Sequence, residues 1–222
     1  QIFKGDEIEF PEDGYQGEDI KDLAKEYADL NGDSLVNVSA EERKKALVDY
    51  ALPKNIKKMQ ADMEKYKIFY DKWFFESELH KSGAVKAVVD LLTKKGLTYE
   101  KDGAVWYKNK EVLTQKLLKE GKSQKYIDNL ELKDDVLIRQ NGNPTYFTAD
   151  IAYHKNKFDR GFTTLIDVWG ADHHGHVMRM KGAMDAIGYD GDKLNVVLMQ
   201  LVKLVKDGEL VKMSKRTGKA IQ

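Results

Sequence analysis

An α/β fold with a helix-rich first part is what this 222-residue sequence predicts. Three observations lead there. Apolar residues recur at helical spacing through much of residues 18–130. Beyond residue 134, short β-branched runs alternate with helical stretches in the order strand, helix, strand, helix, strand, the pattern of a parallel α/β sheet. Hydrophobic residues at 41% and aromatic residues at 10% suffice for a core, and charged residues at 33% give a hydrated surface. The register changes between a helix-rich part, 1–133, and an α/β part, 134–222.

The elements follow in order. Pro11 to Gly17 is a polar, turn-rich entry, and Ile20, Leu23, Ala24, Tyr27 and Leu30 then mark a helix. Ser39 with Glu42 has the spacing of a capping box and opens a second helix, which Pro53 is expected to interrupt or end. Ile56, Met59, Met63 and Tyr66 continue at helical spacing and read as core packing. Trp73-Phe74-Phe75 reads as core or an interdomain contact, and His80 as a surface or loop histidine. Val85 to Leu92 is a helix ended by Gly96, and Asp102-Gly103 turns a hairpin over 98–107. Residues 111–130 are helical, split by Gly121. Val136 to Arg139 reads as a strand, Asn141-Gly142 as a turn and 146–158 as a helix. Thr164 to Val168 reads as an interior strand and Gly175 to Ile187 as a helix. A strand over 195–205 follows, its stretch Val196 to Val202 expected to be buried, and then the hairpin turn Asp207-Gly208.

Composition removes several function classes. Without cysteine there are no disulfides and no thiolate metal sites. No apolar run reaches the roughly 18 residues of a membrane span, and Gln1 to Glu7 lacks the apolar core of a signal peptide. A cytoplasmic address fits, and the missing initiator Met suggests a piece of a longer protein. The net charge of zero hides an asymmetry: residues 1–150 hold 25 Lys+Arg against 29 Asp+Glu, and residues 151–222 hold 12 against 8. That basic excess suits a polyanionic partner.

Three segments carry candidate chemistry. Lys212-Met213-Ser214-Lys215-Arg216-Thr217-Gly218 puts two lysines, an arginine and a hydroxyl in one short loop. Lysine is a mobile point charge and arginine a planar fork, so the loop suits adjacent phosphates such as those of ATP, and could stabilise charge entering them. An isolated KxxK is ordinarily solvated surface; the strand and hairpin turn before this one favour the functional reading. Trp169-Gly170-Ala171-Asp172-His173-His174-Gly175-His176 follows an expected buried strand, where ligands of open α/β sheets bind. Gly170 permits close backbone approach, and Asp172 can accept from a ribose hydroxyl or an ammonium. The three histidines also admit a metal reading, but neither Cys nor an HExxH helix supports a dedicated site. In Pro144-Thr145-Tyr146-Phe147-Thr148-Ala149-Asp150, Tyr146 and Asp150 are four apart and share a helix face, where a phenol and a carboxylate could grip a guanidinium. The plainer alternative is a helix start with Asp150 in the first turn, favoured by the dipole.

The words PTYFTADIAYHKNKF (144–158), WGADHHGHVMRMKGA (169–183) and KMSKRTG (212–218), with FPEDGYQG (10–17), resemble bacterial arginyl-tRNA synthetases of class I. The resemblance is specific over 134–222 and looser over 30–130, where that family carries a connective insertion. It implies that 134–222 is the second half of a Rossmann-like catalytic domain and 1–133 a mostly helical insertion. It implies a ligase that converts arginine and ATP to arginyl-adenylate and passes the arginyl group to the terminal adenosine of its tRNA. By this resemblance Tyr146, Asp150 and His173 bind arginine. Gly170, Asp172, His176, Met213 and Ser214 line the ATP site, and Lys212 and Lys215 clamp the phosphates. Mg2+ accompanies ATP rather than filling a protein cage, and no tightly bound cofactor is implied.

One departure stands out: the family's His-x-Gly-His signature is missing, as is the anticodon-binding domain expected after the KMSK loop. A fragment lacking the N-terminal half of the catalytic domain, inactive alone, accounts for both. The rivals are a stand-alone tRNA- or protein-binding module, a metal-dependent hydrolase using the histidine loop, and a class I synthetase for another amino acid.

Overall fold

The first described residues build a pair of packed helices, each begun by local signals in its own sequence. The computed structural model describes residues 17–200 and 202–211. They fall into two units, one of 17–72 with 202–211 and one of 73–200. In the first, α1 (Glu18–Asn31) packs on α2 (Ala40–Lys65), with the rings of Tyr27 and Tyr50 edge to face at 5.0 Å. The capping box forms as expected: Ser39 Oγ accepts from the Glu42 N–H at 3.2 Å, and Glu42 Oε2 accepts from the Ser39 N–H at 3.0 Å. Arg43 donates to the carbonyls of Leu35, Val36 and Val38, closing the connecting loop onto the helix. Pro53 neither interrupts nor ends α2, contrary to expectation. Its missing N–H removes one hydrogen bond from a 26-residue helix whose other turns remain. The same unit holds the hairpin of β6 (Leu204–Lys206) and β7 (Glu209–Val211). Asp207 and Gly208, at φ 53° and 83°, supply the left-handed pair of a tight hairpin turn.

The second unit has its core among α4 (Ala84–Lys94), α7 (Tyr146–Asp159) and α8 (His174–Ile187). Val85, Val88 and Leu92 face Phe147, Ile151 and Ala152, and Met180, Ala183, Met184 and Ile187 close the cluster. Spacings of three and four, with Ile151–Ala152 and Ala183–Met184 adjacent, put each set on one helix face, and a large apolar side chain buried there contributes about 2 kcal/mol. His80 is a surface histidine, as one of the two readings had it, on the short helix α3 (Glu76–Lys81), and Phe74 stacks on Tyr153 at 4.8 Å. Residues 111–130 divide at Gly121 into α5 (Asn109–Lys119) and α6 (Gln124–Asp128). Gly182 lets α5 approach α8, since a Cβ there would stand 2.6 Å from Leu113 Cδ2.

Two sheets flank this core. In one, β1 (Thr98–Lys101) and β2 (Ala104–Tyr107) form the expected hairpin about Asp102-Gly103. The strand β3 (Asp135–Ile138) pairs antiparallel with β2, not with the strands that follow. The expected series of parallel strands is therefore shorter by one: β4 (Leu165–Gly170) and β5 (Leu194–Met199) pair in parallel. Neither is buried throughout as expected. Leu165 and Leu194 are in the core, while Ile166 and Val168 are 68% and 66% exposed, and Val197, Leu198 and Met199 are exposed too. Side chains alternate across a strand, and among the described residues only one face of this pair is packed. The architecture is thus mixed helix and sheet, with one parallel β–α–β crossover through α8.

Candidate functional site

Thr145 and Thr148 set where α7 begins. The Thr145 N–H donates to the Leu137 carbonyl at 2.9 Å and its hydroxyl to the Val136 carbonyl at 2.8 Å. The Thr148 hydroxyl donates to the Leu137 carbonyl at 2.7 Å. Three bonds thus tie the first turn of α7 to β3 and fix the helix face that carries Tyr146 and Asp150. Tyr146 stands at the first helical position and is 79% exposed. Asp150 lies in the second turn, so the dipole-favoured first-turn placement does not hold.

The second segment begins where β4 ends. Trp169 and Gly170 sit opposite Leu198 and Met199, so both parallel strands present their carboxyl ends at one edge. A single 3-10 turn, Ala171–His173, then leads directly into α8. This strand–turn–helix geometry is where ligands of parallel α/β units bind. Asp172 and His173 are exposed on the turn, 3.9 Å apart.

His176, in the first turn of α8, joins the two segments. Its Nε2 is 3.2 Å from Asp150 Oδ2. The ring sits between Phe147, at 5.5 Å, and Trp169, at 5.3 Å between centroids. The carboxylate of Asp150 is consequently held from one side and open to solvent on the other. One turn further along α8, Arg179 pairs with Asp135, its Nε donating to Oδ2 at 3.1 Å, and covers the Phe147 ring. Burial pushes the Asp135 carboxyl up, and the Arg179 charge and hydrogen bond only partly offset that. Beside this cluster His154 on α7 and Asp167 on β4 are buried in contact, and the partly buried Lys157 donates to the same carboxylate.

Of the residues singled out from sequence, Tyr146, Asp150, Gly170, Asp172, His173 and His176 all lie in these two segments, and Asp150 and His176 are in contact. Lys212, Met213, Ser214 and Lys215 lie outside the described residues, as does most of the FPEDGYQG stretch. The sequence reading passed over His154, Asp167 and the Asp135–Arg179 pair. A signal for two of them was present. His154 follows Asp150 by four and so shares its face, and Asp167 shares the strand face of Leu165 and Trp169 in an otherwise apolar strand. Among the described residues, no group of three or more His, Asp or Glu is placed to hold a metal ion, and no helix is long and apolar enough to cross a membrane.

No protein-family model matches the chain. It is nonetheless homologous along its whole length to curated proteins called arginine–tRNA ligase. That of Ruminiclostridium cellulolyticum is 52% identical over 100% of this chain and 36% of its own length. That of Caldanaerobacter subterraneus subsp. tengcongensis is 54% identical over 98% of this chain and 36% of its own length. The chain spans about a third of the length of the curated relatives it matches. Among solved structures, a Campylobacter jejuni protein assigned to the arginyl-tRNA synthetases superposes with a TM-score of 0.74 at 36% identity, covering 96% of this chain and 42% of its own. The arginyl-tRNA synthetase of Thermus thermophilus shares the fold, with a TM-score of 0.55 at 19% identity over 81% of this chain and 34% of its own.

Proposed function

We propose that the chain is part of the catalytic region of an arginine–tRNA ligase, a class I aminoacyl-tRNA synthetase. The observation that carries this reading is the Asp150–His176 contact, which brings two of the three resembling motifs to one rim. The whole-length homology to proteins of that name supports it.

In this reading β4, α8 and β5 belong to the second half of a Rossmann-like domain, 134–222, and 1–133 is the connective insertion. The guanidinium of arginine lies against Asp150, with the phenol of Tyr146 on the same face and His173 at the turn. Arginine is thereby held by charge and fork geometry together. Gly170, Asp172 and His176 take the adenosine side, and Met213 and Ser214 shape the loop in which Lys212 and Lys215 meet the phosphates.

A carboxylate oxygen of arginine attacks the α-phosphorus of ATP, and pyrophosphate leaves with its Mg2+. A hydroxyl of the terminal adenosine of the tRNA then attacks the arginyl carbonyl, forming an ester and releasing AMP. The lysines stabilise negative charge as it builds on the leaving phosphates. Protein synthesis of this kind places the enzyme in the cytoplasm.

The test is arginine- and tRNA-dependent exchange of pyrophosphate into ATP by the full-length protein. Exchange is expected with arginine and not with lysine. Asp150→Ala is expected to raise the arginine KM about 100-fold while leaving the ATP KM within about threefold, the loss expected of a charge-assisted pair. An Asp150→Ala enzyme with unaltered arginine affinity would remove the specificity argument.

A further inference from the structure

One buried polar cluster in the second unit has no part in the reaction as written above. His154 is 3% exposed and Asp167 8%. Burying such groups is costly unless every polar atom is engaged, and here they are. His154 Nδ1 donates to the backbone carbonyl of Asp150 at 2.7 Å; a carbonyl can only accept, so Nδ1 carries a proton. His154 Nε2 lies 2.5 Å from Asp167 Oδ2, and Lys157 Nζ donates to the other oxygen, Oδ1, at 2.8 Å. The His154 ring also meets Trp169 edge to face, with centroids 6.3 Å apart.

A core histidine that merely fills space would need none of these partners. Here one ring touches the main chain of the residue read as the arginine carboxylate, the strand leading to the ATP-side turn, and the tryptophan on which His176 leans. The Asp150 carbonyl already accepts the helix's own i+4 bond, so the imidazole adds a second bond to the same oxygen. That restrains the helical turn from which the Asp150 side chain projects.

We propose that His154 is a positioning residue for amino-acid recognition: anchored by Asp167, it fixes the backbone of Asp150 and the end of β4 relative to each other. The inference rests on the reading of Asp150 as the arginine-binding carboxylate. Lys157, closing the far side of Asp167, completes the anchor.

The test uses the full-length enzyme, with arginine and ATP varied separately in pyrophosphate exchange. His154→Phe keeps the volume and the contact to Trp169 but donates nothing. It is expected to raise the arginine KM about tenfold with the ATP KM within about twofold. His154→Asn, whose amide can still donate near the Nδ1 position, is expected to recover most of that loss. A simple packing role would instead lower stability and kcat and leave both KM values in place, and that result overturns the proposal. Should His154→Phe not fold, Asp167→Asn decides: a rise of about threefold in arginine KM is expected, and an unchanged value overturns it. Wild-type protein without arginine-dependent exchange would sink the underlying reading; an active wild type beside an unaffected His154→Phe enzyme sinks this inference alone.

Discussion

Asp150 Oδ2 and His176 Nε2 stand 3.2 Å apart, although 26 positions separate the two residues in the chain. The contact makes a motif on α7 and a motif at the end of β4 into one surface. It also places His176, read from resemblance as an adenosine-side residue, against the carboxylate read as arginine's partner.

His176 is therefore expected to matter for both substrates, and for arginine more. In the full-length enzyme, His176→Ala removes the hydrogen bond and the ring between Phe147 and Trp169. The arginine KM should rise about tenfold. A rise confined to the ATP KM would assign His176 to the nucleotide alone.

The Asp135–Arg179 pair is expected to be structural. Asp135 is the more buried partner, and its carboxyl is held above the ordinary value by burial, against the pull of Arg179. Arg179→Met should cost about 2 kcal/mol in urea unfolding of this chain, less than a fully buried pair because Arg179 is partly exposed. Adding Asp135→Leu should recover most of it, because the stranded carboxylate is then gone. Failure of the second change to recover stability would show that the packing of Arg179 on Phe147, not the charge, is what was lost.

Acid should weaken the second unit through Asp167. Burial pushes this carboxyl up, but the hydrogen bond and charge of His154, with those of Lys157, outweigh burial and hold it below its ordinary value. The unfolded chain then takes up the proton first as pH falls. The contribution of Asp167 is complete at neutral pH, begins to fade near the ordinary carboxylate value of about 4, and is gone below its lowered folded value. Asp135 has the opposite sign, since its raised carboxyl favours the folded state as acid protonates it. Thermal unfolding of wild type and Asp167→Asn should differ at pH 7, and the difference should shrink as the pH falls below the ordinary carboxylate value. Curves that stay parallel across that range would mean that the carboxylate charge contributes nothing.

Much of the local structure was legible in the sequence. The capping box at Ser39 and Glu42, the Asp-Gly turns at 102–103 and 207–208, and the helical spacing of 146–158 all depend on residues close in the chain. Such signals are read from dihedral preferences and nearby hydrogen bonds. Of two misreadings, one is local as well and the other involves a partner far away. Pro53 remains helical because the turns on both sides hold, and β3 joins the hairpin because its pairing edge meets β2 rather than β4. No local pattern states which strand a strand will choose.

By itself the sequence determined which residue types stand at the site and on which helix face or strand end they fall, because side-chain periodicity follows from backbone geometry. Only the tertiary structure decided that Asp150 meets His176 and that His154 reaches both the Asp150 carbonyl and Asp167. Those meetings arise from burying the apolar faces of α7 and α8 against each other and against the parallel strands. The free energy of that burial has no direction of its own, so the choice of polar neighbours is settled only when the whole core closes.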